Sequence, residues 1–599
     1  MEKVLFINPY GPFNLAWGRD MMDLLQSRLA RGHGIFNMTS HMHTFALYLL
    51  AENVDNPSTV LEHPHWDEFI DEIRKGYDYI AIQLKSVHTP KVVKMIKAIR
   101  KEAPKSKIVV GGYGVSSLFV KMPGDKDQDG EFIRENADFL CREEGIKFMR
   151  RLLKNDPIVK KVNQYHMPTC GFALAGFPNA HLRLPAFLVS LGCPAGCDFC
   201  NTSAFFHQKK IYIAEPAQIY DFMKHYQKKL NSENLNVILF DEDMFLNPEY
   251  VRELGRLIRS DRKTWGIRWF SFGSVRALSH YEPEELRECG VGAIWVGVES
   301  SLCEQNKDEM NLAKREGAKK PPEVIDGLQR NGIEVIASSI LGFDFHTRDN
   351  IEQDIDYFVN LKPTFYQIGP LTPCPGTKLF ERMMAENRVL DHYNYTDFHL
   401  WKDNVYQLAH FEAGEMKKYF DIAHEKLRTR NGPPLIQIFE SNLRAYENLK
   451  NQKSDFLRHQ AELSRQRAQS LTPFMKSVAH HAPSPEVHKR VRDLLAAAEK
   501  SFGPEPLAAR GIKKIVEAVY DWRMDRVEAQ GEEVRESDPP PRWTYYNEGP
   551  VKKPVVRRGR DARPTSRPYA RDFGGLSLGA VRVDFPRPAE IARRVGLRP

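Results

Sequence analysis

Three cysteines within eight residues constrain this chain more than any other feature. The segment SLGCPAGCDFCNTSAFF places Cys193, Cys197 and Cys200 in a Cys-x3-Cys-x2-Cys array. It follows directly on the apolar run AFLVSLG (186–192), which reads as a strand. Closely spaced thiolates bind iron strongly, and one short loop carrying them can wrap a face of an iron–sulfur cubane. Three ligands hold three irons and leave a fourth open. A structural zinc site wants four protein ligands, and His207 is the nearest further candidate. The other five cysteines, Cys141, Cys170, Cys289, Cys303 and Cys374, are scattered singly. That usage argues for a metal site and against a disulfide framework.

The 599 residues suggest three or four domains. Residues 1–165 alternate short apolar strands (4–9, 77–84, 107–112) with helical patterns (43–53, 92–103), which predicts a Rossmann-like, doubly wound parallel sheet. Ligands of such sheets sit beyond the carboxyl ends of the strands, here Asn8–Pro12, Ser86–Thr89 and Gly111–Ser116. A Pro- and Gly-containing stretch from Met167 to Pro185 reads as a linker. The alternation resumes over 180–400, with strands at 186–192, 236–243, 267–274, 292–300, 333–342 and 365–371. Six such units predict a partial (β/α)6 barrel, so the cysteine loop sits at the carboxyl end of its first strand. Residues 411–530 are helical and charged, and 538–599 form a Pro- and Arg-rich tail expected to be largely irregular.

The motif resembles that of the radical S-adenosylmethionine (SAM) superfamily, including the aromatic Phe199 before the last cysteine. GVES (297–300) resembles that family's SAM-contacting fourth strand. ILGF (340–343) resembles the segment lying along the adenine. LTPCPGT (371–377) resembles the TP-x-PGT loop of a branch with an N-terminal cobalamin-binding domain, which the GG pair at 111–112 and REEG at 142–145 also fit. The resemblance covers roughly residues 1–400. It implies a four-iron four-sulfur cluster on Cys193, Cys197 and Cys200 whose open iron chelates SAM. One electron then cleaves the sulfonium to methionine and a 5'-deoxyadenosyl radical. Phe199, Arg276, Glu299, Ser300 and Gly342 become SAM-side candidates; Arg276 offers either a charge-assisted contact to the SAM carboxylate or a surface salt bridge. Asp241, Glu242 and Asp243 offer either a contact to the SAM amino group or a solvated loop.

For cobalamin, the resemblance points to Asn8, Ser86, Thr89, Gly111, Gly112 and Tyr113. No Asp-x-His-x-x-Gly motif is present. His41, His43 and His88 read as surface or capping residues, so the cobalt would have no protein histidine; the alternative is a domain that kept the fold without the cofactor. Cys374, in the PGT loop, is the candidate catalytic thiol, with a plain small residue in a tight loop as the alternative, and Cys303 reads as packing. The preferred reading is a cobalamin-dependent methyltransferase acting on an unactivated carbon of a small molecule, lipid-like substrates included. An electron donor such as flavodoxin or ferredoxin would reduce the cluster. The alternatives are a radical SAM cyclase or rearrangement enzyme without methyl transfer, and a non-catalytic cobalamin- or metal-binding regulator.

The formal net charge of +8 is unevenly placed. Residues 551–599 carry 13 Lys plus Arg against 4 Asp plus Glu, leaving 73 basic and 74 acidic residues elsewhere. The tail lacks a recognisable nucleic-acid module, so no specific nucleic-acid partner is expected. The alternative for it is that Trp543, Tyr545, Tyr546 and Phe573 fold back over the barrel mouth, although the 411–530 helices are the first candidate for that closure. The N-terminus runs into a strand rather than a signal peptide, and no stretch is long enough to span a bilayer, so a cytoplasmic protein is expected.

Overall fold

The computed structural model describes residues 1–11, 36, 38–159, 161–174, 182–306, 319–399, 404–503, 507–530, 541–546 and 554–558. Pro12 and Phe573, named above, lie outside them. In chain order the strands are β1 (Val4–Ile7), β2 (Met38–His41), β3 (Ser58–Glu62), β4 (Tyr79–Gln83), β5 (Lys107–Gly111), β6 (Phe139–Cys141), β7 (Thr169–Leu174), β8 (Leu182–Leu188), β9 (Ser190–Leu191), β10 (Ile211–Tyr212), β11 (Asn236–Phe240), β12 (Arg268–Ser274), β13 (Val291–Glu299), β14 (Glu334–Leu341), β15 (Phe365–Pro370), β16 (Arg542–Tyr546) and β17 (Pro554–Arg558).

The N-terminal sheet has the order β17-β16-β3-β1-β4-β5-β6. Its five N-terminal strands are parallel. Alternate residues point to opposite faces. Leu5, Ile7, Ile80 and Ile82 pack on one side with helices Trp66–Ile73 and Thr89–Glu102. Val4, Phe6, Tyr79 and Ala81 pack on the other with helices Phe45–Asn53 and Gly145–Leu152. Both faces are covered, as a doubly wound sheet requires. Strand order reverses between β1 and β4, and ligands of such sheets bind outside the carboxyl ends at that switch point. Asn8 and Ser86 lie just beyond it.

The second sheet runs β15-β14-β13-β12-β11-β8-β7-β2. Its six parallel strands are the expected partial barrel. The stretch read as a linker instead supplies β7 and the start of β8, an antiparallel pair, and β2 adds to β7. Short strands of mixed composition carry too weak a period-2 signal to stand out.

The tail is also not wholly irregular. β16 pairs antiparallel with β3, and β17 with β16, covering an edge that would otherwise offer unpaired amides. Thr544 and Tyr546 are buried, and Trp543 Nε1 donates to Glu72 at 2.8 Å. These aromatics therefore seat on the N-terminal sheet and do not cap the barrel.

Nor do the C-terminal helices close the mouth. Gln460 donates to Trp265 O at 2.7 Å, Ser441 to Gln329 O at 2.8 Å and Arg467 to Asn236 Oδ1 at 3.3 Å. Those partners precede or begin β11, β12 and β14, at their amino ends. The helices thus floor the barrel opposite the cysteine loop. Among the described residues no helix is long and apolar enough to cross a membrane.

Candidate functional site

The cysteine loop is shaped by backbone that only glycine adopts without strain. Gly192 has φ +79°, and a Cβ there would lie 2.1 Å from the Lys209 carbonyl oxygen. Gly196 has φ +71° and donates to Ser203 Oγ at 3.1 Å, while Ser203 Oγ donates to Cys193 O at 3.0 Å. Cys200 N donates to Cys197 O at 3.0 Å, and Leu379 N to Asp198 O at 3.0 Å. The loop is thereby tied to itself and to the helix after the PGT loop. Cys197 is buried; Cys193 and Cys200 are half-buried.

Two observations test which metal group fits. Burial pushes the Cys193 thiol up to about 12, so thiolate at this position needs a cation beside it. The donor set is the second: three cysteine thiols on one loop suit an iron–sulfur cluster with one iron left open, whereas a structural zinc takes four protein ligands.

The SAM-side candidates converge at neighbouring strand ends. Glu299 closes β13 with φ +58° while buried, and the β13–β14 register shifts between Gly297 and Glu299. A left-handed non-glycine residue costs about 1–3 kcal/mol and persists where its surroundings over-determine it. Here Ser339 Oγ donates to Glu299 O at 2.9 Å. Ser300 Oγ lies 3.4 Å from His346 Nε2. Gly342 N donates to His346 Nδ1 at 3.1 Å, leaving Nε2 to donate to Asp354 Oδ2 at 3.1 Å. Burial alone would raise the Asp354 pKa; hydrogen bonds from His346 and Ser301 outweigh it and hold the carboxyl below its usual range. The sequence reading missed His346, which stands four residues after Gly342 without a motif of its own. Gly342 itself has φ +98°, and its carbonyl accepts from Tyr406 at 2.8 Å. Phe199 packs edge-on against Phe343 at 6.4 Å.

After β11, Asp241 and Asp243 are buried rather than in a solvated loop. Asp241 accepts from Ser190 at 2.6 Å and Lys210 at 2.7 Å; Asp243 accepts from Ser274 N at 3.1 Å. Burial raises the pKa of both Glu242 and Asp243. Arg276 is exposed on the helix Val275–Leu278. Cys374 is half-buried beside Asn201 and Cys200, with burial pushing its thiol up to about 12. Cys303 is core.

The cobalamin-side candidates share the carboxyl edge of the N-terminal sheet. Asn8 Oδ1 accepts from His63 N at 2.9 Å, and Thr89, fully buried, donates to Ser86 O at 2.7 Å. Gly111 ends β5 opposite Cys141. Gly112 has φ +106°, and a Cβ there would lie 2.7 Å from Leu84 O. Tyr113 leaves this edge to pack on Phe205 and Phe206. Of the histidines expected at the surface or at caps, His88 stands at the N-cap position of the helix Thr89–Glu102. His88 is buried, and His43 Nδ1 donates to the fully buried Glu62 at 2.7 Å. Glu62 also accepts from Tyr48 at 2.6 Å and from Thr44 N. Arg542, from the tail, approaches His43 Nε2 at 3.4 Å. Burial made these residues partners of one another. His41 lies in β2.

Between the two domains runs a cleft of about 460 Å³ whose lining includes Ser116, Arg142, Gly196, Cys197, Gly376 and Lys378. The PGT turn meets the N-terminal domain here: a Cβ on Gly376, at φ +92°, would lie 3.0 Å from Ser116 Cβ. The carboxyl edge of the N-terminal sheet thus faces the cysteine loop.

Known proteins resemble parts of this chain. Residues 187–358 match the model of the Radical SAM superfamily. Bacteriochlorophyllide d C-12(1)-methyltransferase of Chlorobaculum tepidum is 28% identical over 239 residues, covering 39% of this chain and 50% of that protein. An uncharacterized methyltransferase of Pyrococcus horikoshii is 24% identical over 293 residues, covering 47% and 60%. The chain therefore spans about half the length of the curated relatives it matches. A structure of the radical SAM methyltransferase TsrM from Kitasatospora setae, with cobalamin and a [4Fe-4S] cluster bound, aligns at a TM-score of 0.48 and 14% identity, over 78% of this chain and 100% of that one. Residues 187–358, with the cysteine loop at the end of the first barrel strand, are a radical SAM domain.

Proposed function

We propose that this chain is a cobalamin-dependent radical SAM methyltransferase acting on an unactivated carbon of a small, largely apolar molecule. The observation that carries this reading is the placement of Cys193, Cys197 and Cys200 at one strand end, across from the ligand-binding edge of the doubly wound sheet. The relatives' printed activities support methyl transfer. A four-iron four-sulfur cluster held on these cysteines would, when reduced, supply the electron for reductive cleavage of SAM.

The chain's own residues position and shield the reactants. Cys193, Cys197 and Cys200 hold the cluster. The strained turn at Glu299, pinned by Ser339, and the Gly342 backbone, pinned by His346 and Tyr406, orient SAM. Phe199 and Phe343 form an apolar wall that keeps water out. Asn8, Ser86, Thr89, Gly111 and Gly112 shape the cobalamin edge, where Gly112 permits close backbone approach. Half-buried rings on the concave face of the barrel define the substrate's chemistry: Phe272 stacks on Trp295 at 5.6 Å and meets Phe270 at 5.3 Å. That surface suits a substrate with an extended apolar face. Cys374, beside Cys200, is placed to act on a substrate held over the cluster. An electron donor such as flavodoxin or ferredoxin reduces the cluster, docking at the cleft lined by Gly196 and Cys197, where Arg142 and Lys378 are balanced by Asp198 and Glu381, and the site of action is the cytoplasm.

The test is anaerobic reconstitution with iron, sulfide, hydroxocobalamin, SAM and a chemical reductant. The reading expects about one cobalamin per chain and S-adenosylhomocysteine among the SAM products. 5'-Deoxyadenosine with methionine, no S-adenosylhomocysteine and no bound cobalamin would replace methyl transfer by the cyclase or rearrangement reading.

A further inference from the structure

We propose that His480, His481, Asp521 and Asp525 form a binding site for a zinc-class divalent cation, which ties the helix Asp455–His480 to the helix Leu507–Gln530. His480 Nδ1 lies 3.4 Å from Asp521 Oδ2, and His481 Nε2 lies 3.5 Å from Asp521 Oδ1 and 3.8 Å from Asp525 Oδ1. A tetrahedral ion with bonds of about 2.0–2.1 Å has ligand–ligand edges of about 3.3–3.4 Å. His480, His481 and Asp521 already stand near that spacing, and Asp525, 3.8 Å from His481, is the nearby fourth donor. His480, His481 and Asp521 are the one group among the described residues with three such ligand atoms within 4.8 Å of each other.

The chemistry of the set is specific. Two imidazoles with carboxylates and no thiol suit zinc or a similar borderline ion rather than an iron–sulfur cluster or calcium. Ser477 Oγ donates to Asp521 Oδ1, an outer partner of the kind that orients metal-binding carboxylates. His481 and Asp521 side chains are 6% and 15% exposed and His480 is 65% exposed, which gives the ion a solvent-facing entry. The two helices carry Phe474 and Tyr520, packed together at 4.5 Å, and Tyr520 stacks on Phe36 at 6.2 Å. The cation therefore fixes the seat of Phe36 as well as the helix pair.

The test uses the full chain with its iron–sulfur cluster reconstituted anaerobically, then equilibrated with zinc chloride and desalted. Metal content by elemental analysis should give about one zinc per chain, and the zinc X-ray absorption edge should show nitrogen and oxygen neighbours only. His480→Ala and Asp525→Asn, both at exposed positions, and Ser477→Ala should each weaken zinc binding about 10- to 100-fold, with iron content unchanged. Failure to retain zinc, sulfur in the zinc shell, or wild-type zinc affinity in all three variants would overturn the proposal. Because the readout is zinc and not turnover, it is independent of the catalytic reading.

Discussion

The Tyr113 hydroxyl donates to Glu242 Oε1 at 3.2 Å, joining the carboxyl edge of the N-terminal sheet to that of the barrel. The same ring meets Phe205 and Phe206 edge-on at 5.4 and 6.0 Å, next to the cysteine loop. One tyrosine thus links the carboxyl edges of the two sheets where they face each other.

Tyr113→Ala removes both the hydrogen bond and the ring contacts. Losing an edge-to-face aromatic pair costs about 0.5–1.5 kcal/mol beyond area burial. The variant should keep its iron and still cleave SAM, but lose about ten-fold or more in methyl transfer, because misplacing reactants by about 1 Å can cost a hundred-fold. Comparing iron content, S-adenosylhomocysteine and 5'-deoxyadenosine in one preparation checks this.

Gly192→Ala should abolish cluster assembly. Its Cβ would collide with the Lys209 carbonyl, which is backbone and cannot yield cheaply, and its φ of +79° disfavours any side chain. Iron per chain after reconstitution should fall to background while the far-ultraviolet circular dichroism stays that of a folded α/β protein.

The Glu62 network should make the N-terminal domain acid-labile. His43 and His63 outweigh burial and hold Glu62 well below its ordinary 4.5; burial holds His43 below its ordinary 6.5. In both cases the unfolded chain binds protons that the folded one resists, so stability rises with pH. The His43 contribution should fade as pH falls below 6.5, and the Glu62 contribution as pH falls below 4.5 toward its folded value. Glu62→Gln should cost about 1–3 kcal/mol at pH 7, because the buried Tyr48, Thr44 and His43 donors lose a charged acceptor, and should flatten the acid limb of a chemical-denaturation series.

Truncation before Arg542 should destabilise the N-terminal sheet, whereas truncation after Arg558 should leave it intact. The first exposes the β3 edge and removes Tyr546, which is 2% exposed. Tyr546→Ala alone should cost about 3–5 kcal/mol, as large-to-small core changes do. Thermal melts of the two truncations and the point variant separate these outcomes.

The cysteine loop was legible in the sequence because its spacing is a local device that states a metal-binding chemistry, whereas GVES, ILGF and the PGT loop were legible only through the family segments they resemble. The alternation of strands and helices, likewise a local pattern, made both parallel sheets legible. The rest depended on distant partners. Nothing local in Arg542–Tyr546 says that it pairs with Ser58–Glu62, since an edge strand is chosen by the edge it covers. His346 and His43 look like ordinary polar residues until burial joins them to Asp354 and Glu62. The C-terminal helices could have closed either end of the barrel; Gln460 and Ser441 meeting its amino-end loops decides for the floor.

The central claim is that Cys193, Cys197 and Cys200 hold the cluster that cleaves SAM. The most direct measurement is reductive SAM cleavage by anaerobically reconstituted chain, with iron quantified in the same sample, for the wild type and the variant with all three cysteines changed to Ala. The wild type should carry about four irons per chain and release SAM-derived products under reductant. The variant should carry no cluster and release none. Undiminished SAM cleavage by the triple-Ala variant would contradict the account.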